Sequence, residues 1–274
     1  MLEQVVNSHA RFALRLTSIS AVLAVLLSGP VTAFAAEQAE GEGNSASGWK
    51  HWEPGNQIDN TGSLQRGAQA FMSYCSGCHS LKYLRYSRMA ADLKIPPEQL
   101  DQYLISPGDK PTDYIMTAMP AADAEAWFGK TPPDLSLAAR SRGTDWIYQF
   151  LKTFYADGKQ ATGVNNLRLP GTAMPHVLSE LQGVSAAEFR TVSEGTGAEA
   201  TTKAEFVKFE SAVPGRMNAV QYDAFVRDLV NFLDYAGEPT QVKRRNLGVW
   251  VILFLLAFTA IAYLLKQEYW KDVK

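Results

Sequence analysis

Apolar side chains recur with helical spacing in three stretches of this chain. In residues 64–74, Leu64, Ala68, Phe71 and Met72 fall on one helical face, with Gly67 where a second helix can come close. The same i, i+3, i+4, i+7 spacing returns at Tyr222, Phe225, Val226, Leu229, Phe232 and Leu233. There Arg227, Asp228 and Asn231 take the outer face, and Gly237 and Pro239 end the helix. Residues 144–155 form a third helical stretch whose apolar face is Trp146, Phe150, Leu151 and Phe154. Between these, Pro96, Pro97, Pro107, Pro111, Pro120, Pro132 and Pro133 forbid long continuous helices. Two Thr/Val/Phe-rich pieces, 189–192 and 205–209, flank a polar loop and predict a small β-hairpin.

Two runs are apolar without periodicity. Residues 247–265 (LGVWVILFLLAFTAIAYLL) carry no charge and, at about 1.5 Å per residue, span most of a hydrocarbon layer about 30 Å thick. Trp250, Tyr263, Tyr269 and Trp270 near the two ends suit the headgroup layers, so this run predicts a transmembrane helix. The second run, 19–27, follows Arg11 and Arg15 and precedes Ala33, Phe34, Ala35 and Ala36, the three-part pattern of a secretory signal peptide. Basic residues flank the transmembrane run equally, with Lys243, Arg244 and Arg245 before it and Lys266, Lys271 and Lys274 after it. The signal peptide therefore sets the orientation, and the intervening domain is expected to be exported across the membrane. The organisation expected is a signal peptide (1–36), a flexible lead-in (37–60), an exported domain (61–240), a single membrane helix (247–265) and a cytoplasmic tail (266–274).

A net charge of −2, from 26 basic and 28 acidic side chains, makes no electrostatic case for nucleic-acid binding. The cysteines change the picture more. The chain has 2, and they stand as Cys75-Ser76-Gly77-Cys78-His79. A CxxCH run behind a signal peptide is the attachment signature of a c-type haem, in which two thiols add to the vinyl groups and the histidine binds iron. A structural disulfide, a thioredoxin-like pair and a zinc site are the competing readings. The last two lack, respectively, a βαβ pattern and further cysteine ligands.

An electron-transfer haem needs a second axial ligand. The candidates are Met72, Met89, Met116, Met119, Met174, Met217, His51 and His176. Met72 is too near the attachment site to reach the opposite haem face. Met119 and Met174 share the sequence Thr-Ala-Met-Pro. The stiff loop of Pro170, Gly171 and Pro175 favours Met174, with His176 and Met119 as competitors. Arg140 and Arg142 are candidates for meeting the anionic propionates.

The segments RGAQAFMSYCSGCHSLKYLRYSR, PPDLSLAARSRG, LPGTAMPHVLSELQG and DLVNFLDYAGEPTQVKRRNLGVWVILFLLAFTAIAYLLKQEYWKDV together resemble the cytochrome c1 family in its bacterial form. The resemblance implies a mainly α, cytochrome c-like helical haem domain with irregular loops, a small β-hairpin insertion and one C-terminal transmembrane helix. It implies one covalent haem c held by Cys75 and Cys78, with His79 as proximal and Met174 as distal iron ligand. Arg142 is implied at a propionate, and Pro132 and Pro133 beside the haem. It further implies partners: cytochrome b, a Rieske iron-sulfur protein as electron donor, and a soluble or tethered c-type cytochrome as acceptor. No catalytic acid, base or nucleophile is required. A stand-alone tethered cytochrome serving an oxidase would want a longer linker than residues 237–246, and a gas sensor would leave the sixth position open.

Overall fold

In the computed structural model, which describes residues 48–194 and 201–271, the first long helix, α1 (Thr61–Tyr74), starts where Asn60 caps it. The Asn60 side-chain oxygen accepts the Ser63 amide at 3.1 Å, satisfying a donor that has no partner within the helix. After α1 come strand β1 (Leu81–Arg85), helices α2 (Tyr86–Leu93) and α3 (Pro97–Tyr103), strand β2 (Tyr114–Ile115), and helices α4 (Ala121–Phe128), α5 (Ala138–Arg142) and α6 (Thr144–Lys152). Strands β3 (Phe154–Ala156) and β4 (Val164–Asn166), helix α7 (Ser179–Gln182) and strands β5 (Gly183–Glu194) and β6 (Thr201–Pro214) follow. Helices α8 (Ala219–Gly237) and α9 (Gln241–Tyr269) complete the order. Among the described residues the strands form three separate antiparallel pairs, β1 with β2, β3 with β4 and β5 with β6. Prolines confine the helices of the middle region as expected: Pro97 opens α3 and Pro120 caps α4, neither helix exceeding 8 residues.

The core forms where α1 crosses α8. Leu64, Ala68 and Phe71 are buried there against Val226, Leu229 and Phe232, and the Phe71 and Phe232 rings lie 5.9 Å apart. Gly67 makes the crossing close, since a Cβ built on it would overlap the Asp228 carbonyl oxygen and lie 2.7 Å from Phe232 Cβ. Helix α8 begins with a reciprocal cap in which the Asn218 side chain accepts the Gln221 amide at 2.9 Å and the Gln221 side chain accepts the Asn218 amide at 3.0 Å.

Three expectations from the sequence are corrected. Asn231, assigned outward, is 2% exposed. Its amide donates to the Gln57 carbonyl and the Ser63 hydroxyl, both at 2.9 Å. Helix α6 stops at Lys152 instead of Tyr155, because the Asn166 amide takes the Phe150 carbonyl at 2.7 Å and Phe154 enters a strand. Residues 48–60, read as flexible lead-in, are packed on the domain. Trp49 and Ile58 are buried, and the Gln149 amide donates to the Lys50 and Trp52 carbonyls at 3.0 and 3.1 Å. Met72 is only partly buried at the edge of its stripe.

The hairpin exists and is longer than its β-prone pieces indicate; Phe189 meets Phe206 edge-on, Phe206 meets Phe209 at a tilt, and Tyr155 ties Phe189 to β3. Helix α9 extends the apolar run at both ends to 29 residues, none of them buried, and is long and apolar enough to cross a membrane. The signal peptide, residues 37–47 of the lead-in and the last three residues of the tail lie outside the described residues.

Candidate haem site

Helix α1 ends in a turn that gathers the two thiols and the imidazole. Cys75 and Ser76 both donate their amides to the Phe71 carbonyl, at 2.8 and 3.0 Å, and Cys78 and His79 donate theirs to the Cys75 carbonyl at 3.0 and 2.8 Å. The Ser76 hydroxyl closes on the Met72 carbonyl at 2.7 Å. Both cysteines are free thiols, Cys75 buried and Cys78 half-buried. Burial, helped by the neighbouring Cys78, pushes the Cys75 thiol up to about 12, so it remains protonated at neutral pH.

The Pro132-Pro133-Asp134-Leu135-Ser136 segment braces this turn. Its Leu135 amide donates to the Ser80 carbonyl at 2.9 Å. Asp134 accepts the Lys82 amide at 2.9 Å and the Ser136 hydroxyl accepts the Tyr83 amide at 3.2 Å. Against this brace His79 Nδ1 meets the Pro133 carbonyl oxygen at 2.7 Å. A carbonyl only accepts, so Nδ1 carries the proton. Burial lowers the imidazole pKa, outweighing the opposing pull of the Pro133 carbonyl and Asp134, so the ring is neutral at pH 7. A neutral ring protonated at Nδ1 has its lone pair on Nε2, the arrangement of a metal-bound histidine whose other nitrogen is held by an outer hydrogen bond. Two free thiols and this imidazole on one turn are the donor set a covalent haem requires.

The other candidates separate by surroundings. Thr117 binds the attachment turn from outside, its amide donating to Ser80 Oγ at 2.9 Å and its hydroxyl to the Gly77 carbonyl at 2.8 Å, and Met119 follows directly behind it. Met89 is fully buried in the core, Met116 is half exposed, and Met217 packs beside the Tyr74–Phe225 pair. His51 is exposed. His176 is buried with its ring stacked on Phe154 at 4.8 Å, and burial lowers its pKa to about 4. Met174 is half-buried at the end of the 167–174 loop, its amide donating to the Thr172 hydroxyl at 3.3 Å.

The two arginines part company. Arg140 turns to Glu238 at 4.0 Å and packs over Gly237. Arg142 is exposed, lies 4.5 Å over the Trp146 ring, and has no carboxylate partner among the described residues. Trp146 in turn stacks on Phe150 at 5.3 Å. Sequence reasoning missed the roles of Ser80, Thr117, Asp134 and Ser136, although each lies in a segment that the sequence singles out: Ser80 beside the CxxCH run, Thr117 in the first Thr-Ala-Met-Pro, and Asp134 and Ser136 in PPDLSLAARSRG.

Residues 49–273 match the profile of the Cytochrome C1 family. Over 230 residues the chain is 47% identical to cytochrome c1 of Allochromatium vinosum, covering 84% of this chain and 92% of that protein. It is 30% identical over 252 residues to cytochrome c1 of Rhodospirillum rubrum, covering 77% and 82%. It is also 44% identical over 211 residues, 77% and 83%, to a Nitrosomonas europaea protein named ammonia monooxygenase gamma subunit. The chain therefore belongs to the cytochrome c1 family, a membrane-anchored cytochrome with one covalently attached haem c that works in electron transfer as the haem subunit of a bc1 complex.

Proposed function

We propose that this chain takes electrons from a Rieske iron-sulfur protein and passes them to a soluble or tethered c-type cytochrome, in the periplasm and beside cytochrome b. The observation that carries the ligand assignment is the hydrogen bond from His79 Nδ1 to the Pro133 carbonyl, which leaves Nε2 to bind iron. Cys75 and Cys78 form the thioether links and His79 is the proximal ligand. Met174 is the distal ligand, favoured over His176 because that ring is already stacked in the core on Phe154. Bound haem supplies reversible one-electron chemistry at iron, and a methionine ligand raises its potential relative to histidine.

The chain's own residues do the rest. The Pro132–Pro133 brace fixes the ring plane of His79 through its carbonyl. Arg142, held flat on Trp146 and lacking a carboxylate partner among the described residues, offers its guanidinium to a propionate. Helix α9 holds the domain at the membrane, and its entry, four residues after Gly237, leaves little linker for roaming.

The test is to solubilise membranes in mild detergent, purify the chain by a tag, and ask whether a b-type haem accompanies it and whether quinol reduces its haem c. Haem c alone, unreduced by quinol, overturns the reading. Met174→Ala is expected to lower the midpoint potential steeply and abolish quinol-driven reduction; unchanged values refute the distal assignment.

A further inference from the structure

Two adjacent asparagines, Asn165 and Asn166, end strand β4, and both are buried. The Asn165 side-chain oxygen accepts the Asn166 and Gly171 amides, both at 2.8 Å, while its NH2 donates to the Asp157 carboxylate at 3.0 Å. The Asn166 oxygen accepts the amides of Arg168 and Leu169 at 2.8 and 3.1 Å and the Thr153 hydroxyl at 3.2 Å. Its NH2 donates to the Phe150 carbonyl at 2.7 Å. Residues 168–171 are exposed, yet their backbone is wound around these two side chains. Gly171, at φ +73°, then turns the chain inward to buried Thr172 and on to Met174.

We propose that Asn165 and Asn166 are positioning residues for the axial thioether: they hold the loop that keeps Met174 at its ligand position, and through it they set the haem potential. The inference rests on the reading of Met174 as distal ligand. A thioether is a weak ligand, so its occupancy depends on a loop already in the bound conformation. The asparagines supply that order with seven hydrogen bonds, four of them to backbone amides within or next to the loop. An added ligand enters the sixth position only when the loop opens, so its apparent affinity reports the open fraction.

The test uses the full haem-bound chain in detergent, with imidazole as the probe of the ferric form and a redox titration beside it. In Asn165→Ala and Asn166→Ala, imidazole is expected to bind about tenfold more tightly, equivalent to about 1.4 kcal/mol, and the midpoint potential to fall. Exchanging the partners, Asn165→Asp with Asp157→Asn, keeps the acceptor for Gly171 and reverses one donor, so it is expected to restore both values. Gln149→Ala removes two hydrogen bonds from another buried amide and is expected to leave both readouts unchanged. Unaltered imidazole affinity and potential in a folded Asn165→Ala overturn the inference, as does an equal shift in Gln149→Ala. Met174→Ala separates the two readings. Wild-type imidazole affinity in that variant removes the ligand assignment itself, whereas tight binding there with unaltered asparagine variants removes only the positioning role. If Asn166→Ala does not accumulate, Asn165→Ala and its exchange pair decide the matter.

Discussion

Gly67→Ala sets a helical preference against a helix crossing. Alanine in a helix interior is favoured over glycine by about 1 kcal/mol, so a loosely packed site would gain stability. At Gly67 the new methyl would overlap the Asp228 carbonyl oxygen and sit 2.7 Å from Phe232 Cβ. Both obstacles belong to the α8 framework and cannot rotate aside as a side-chain tip does. Helices α1 and α8 must separate, loosening the contacts of Phe71 with Phe232. Overpacking of a core costs about 1–3 kcal/mol, and the rigidity of these obstacles places this site at the upper end. After the helical gain the net loss is about 2 kcal/mol, or a fall in Tm of about 4–8 °C for a domain of this size. Thermal unfolding of the haem-bound chain in detergent, followed by far-UV circular dichroism, measures it. Equal or higher stability would show that propensity wins and that the helices do not cross this closely. Because α1 ends at Cys75, the haem absorption spectrum is expected to change in the same variant.

Asn231→Ala strips the Gln57 carbonyl and the Ser63 hydroxyl of a donor in the core, and is expected to cost about 1–3 kcal/mol by urea unfolding. Burial works against the Asp223 carboxylate, but hydrogen bonds from Lys152 and Tyr148 and the charges of Lys152 and Arg227 outweigh it and hold its pKa below the ordinary 3.8. A depressed carboxyl stabilises the fold above its unfolded pKa and loses that contribution as pH falls through the folded one. Acid unfolding curves are therefore expected to be flatter below about pH 4 in Asp223→Asn, which is also less stable at pH 7. A stop after Thr240 removes α9, none of whose residues is buried in the domain, so a folded, haem-bearing domain is expected in the soluble fraction by fractionation.

Much of this protein is legible in its sequence alone. The Cys75–His79 run specifies its chemistry through covalent spacing, which no fold can alter, and the 247–265 run specifies an anchor through length and apolarity. The faces of α1 and α8 follow from a local period because both helices bury one stripe, and Gly67 marks their crossing. Long-range polar pairing is not legible. Asn231 falls on the outer side of its helix by pattern, and only the packing of residues 57 and 63 against it turns its amide inward. The end of α6 depends on Asn166, distant in sequence, capturing the Phe150 carbonyl. The hydrogen bond from His79 to Pro133 and the winding of the Met174 loop around Asn165 and Asn166 leave no periodic trace either. Hydrophobic burial is a property of a face and repeats along the chain, whereas a directional hydrogen bond between segments exists only once the tertiary structure brings donor and acceptor within about 3 Å.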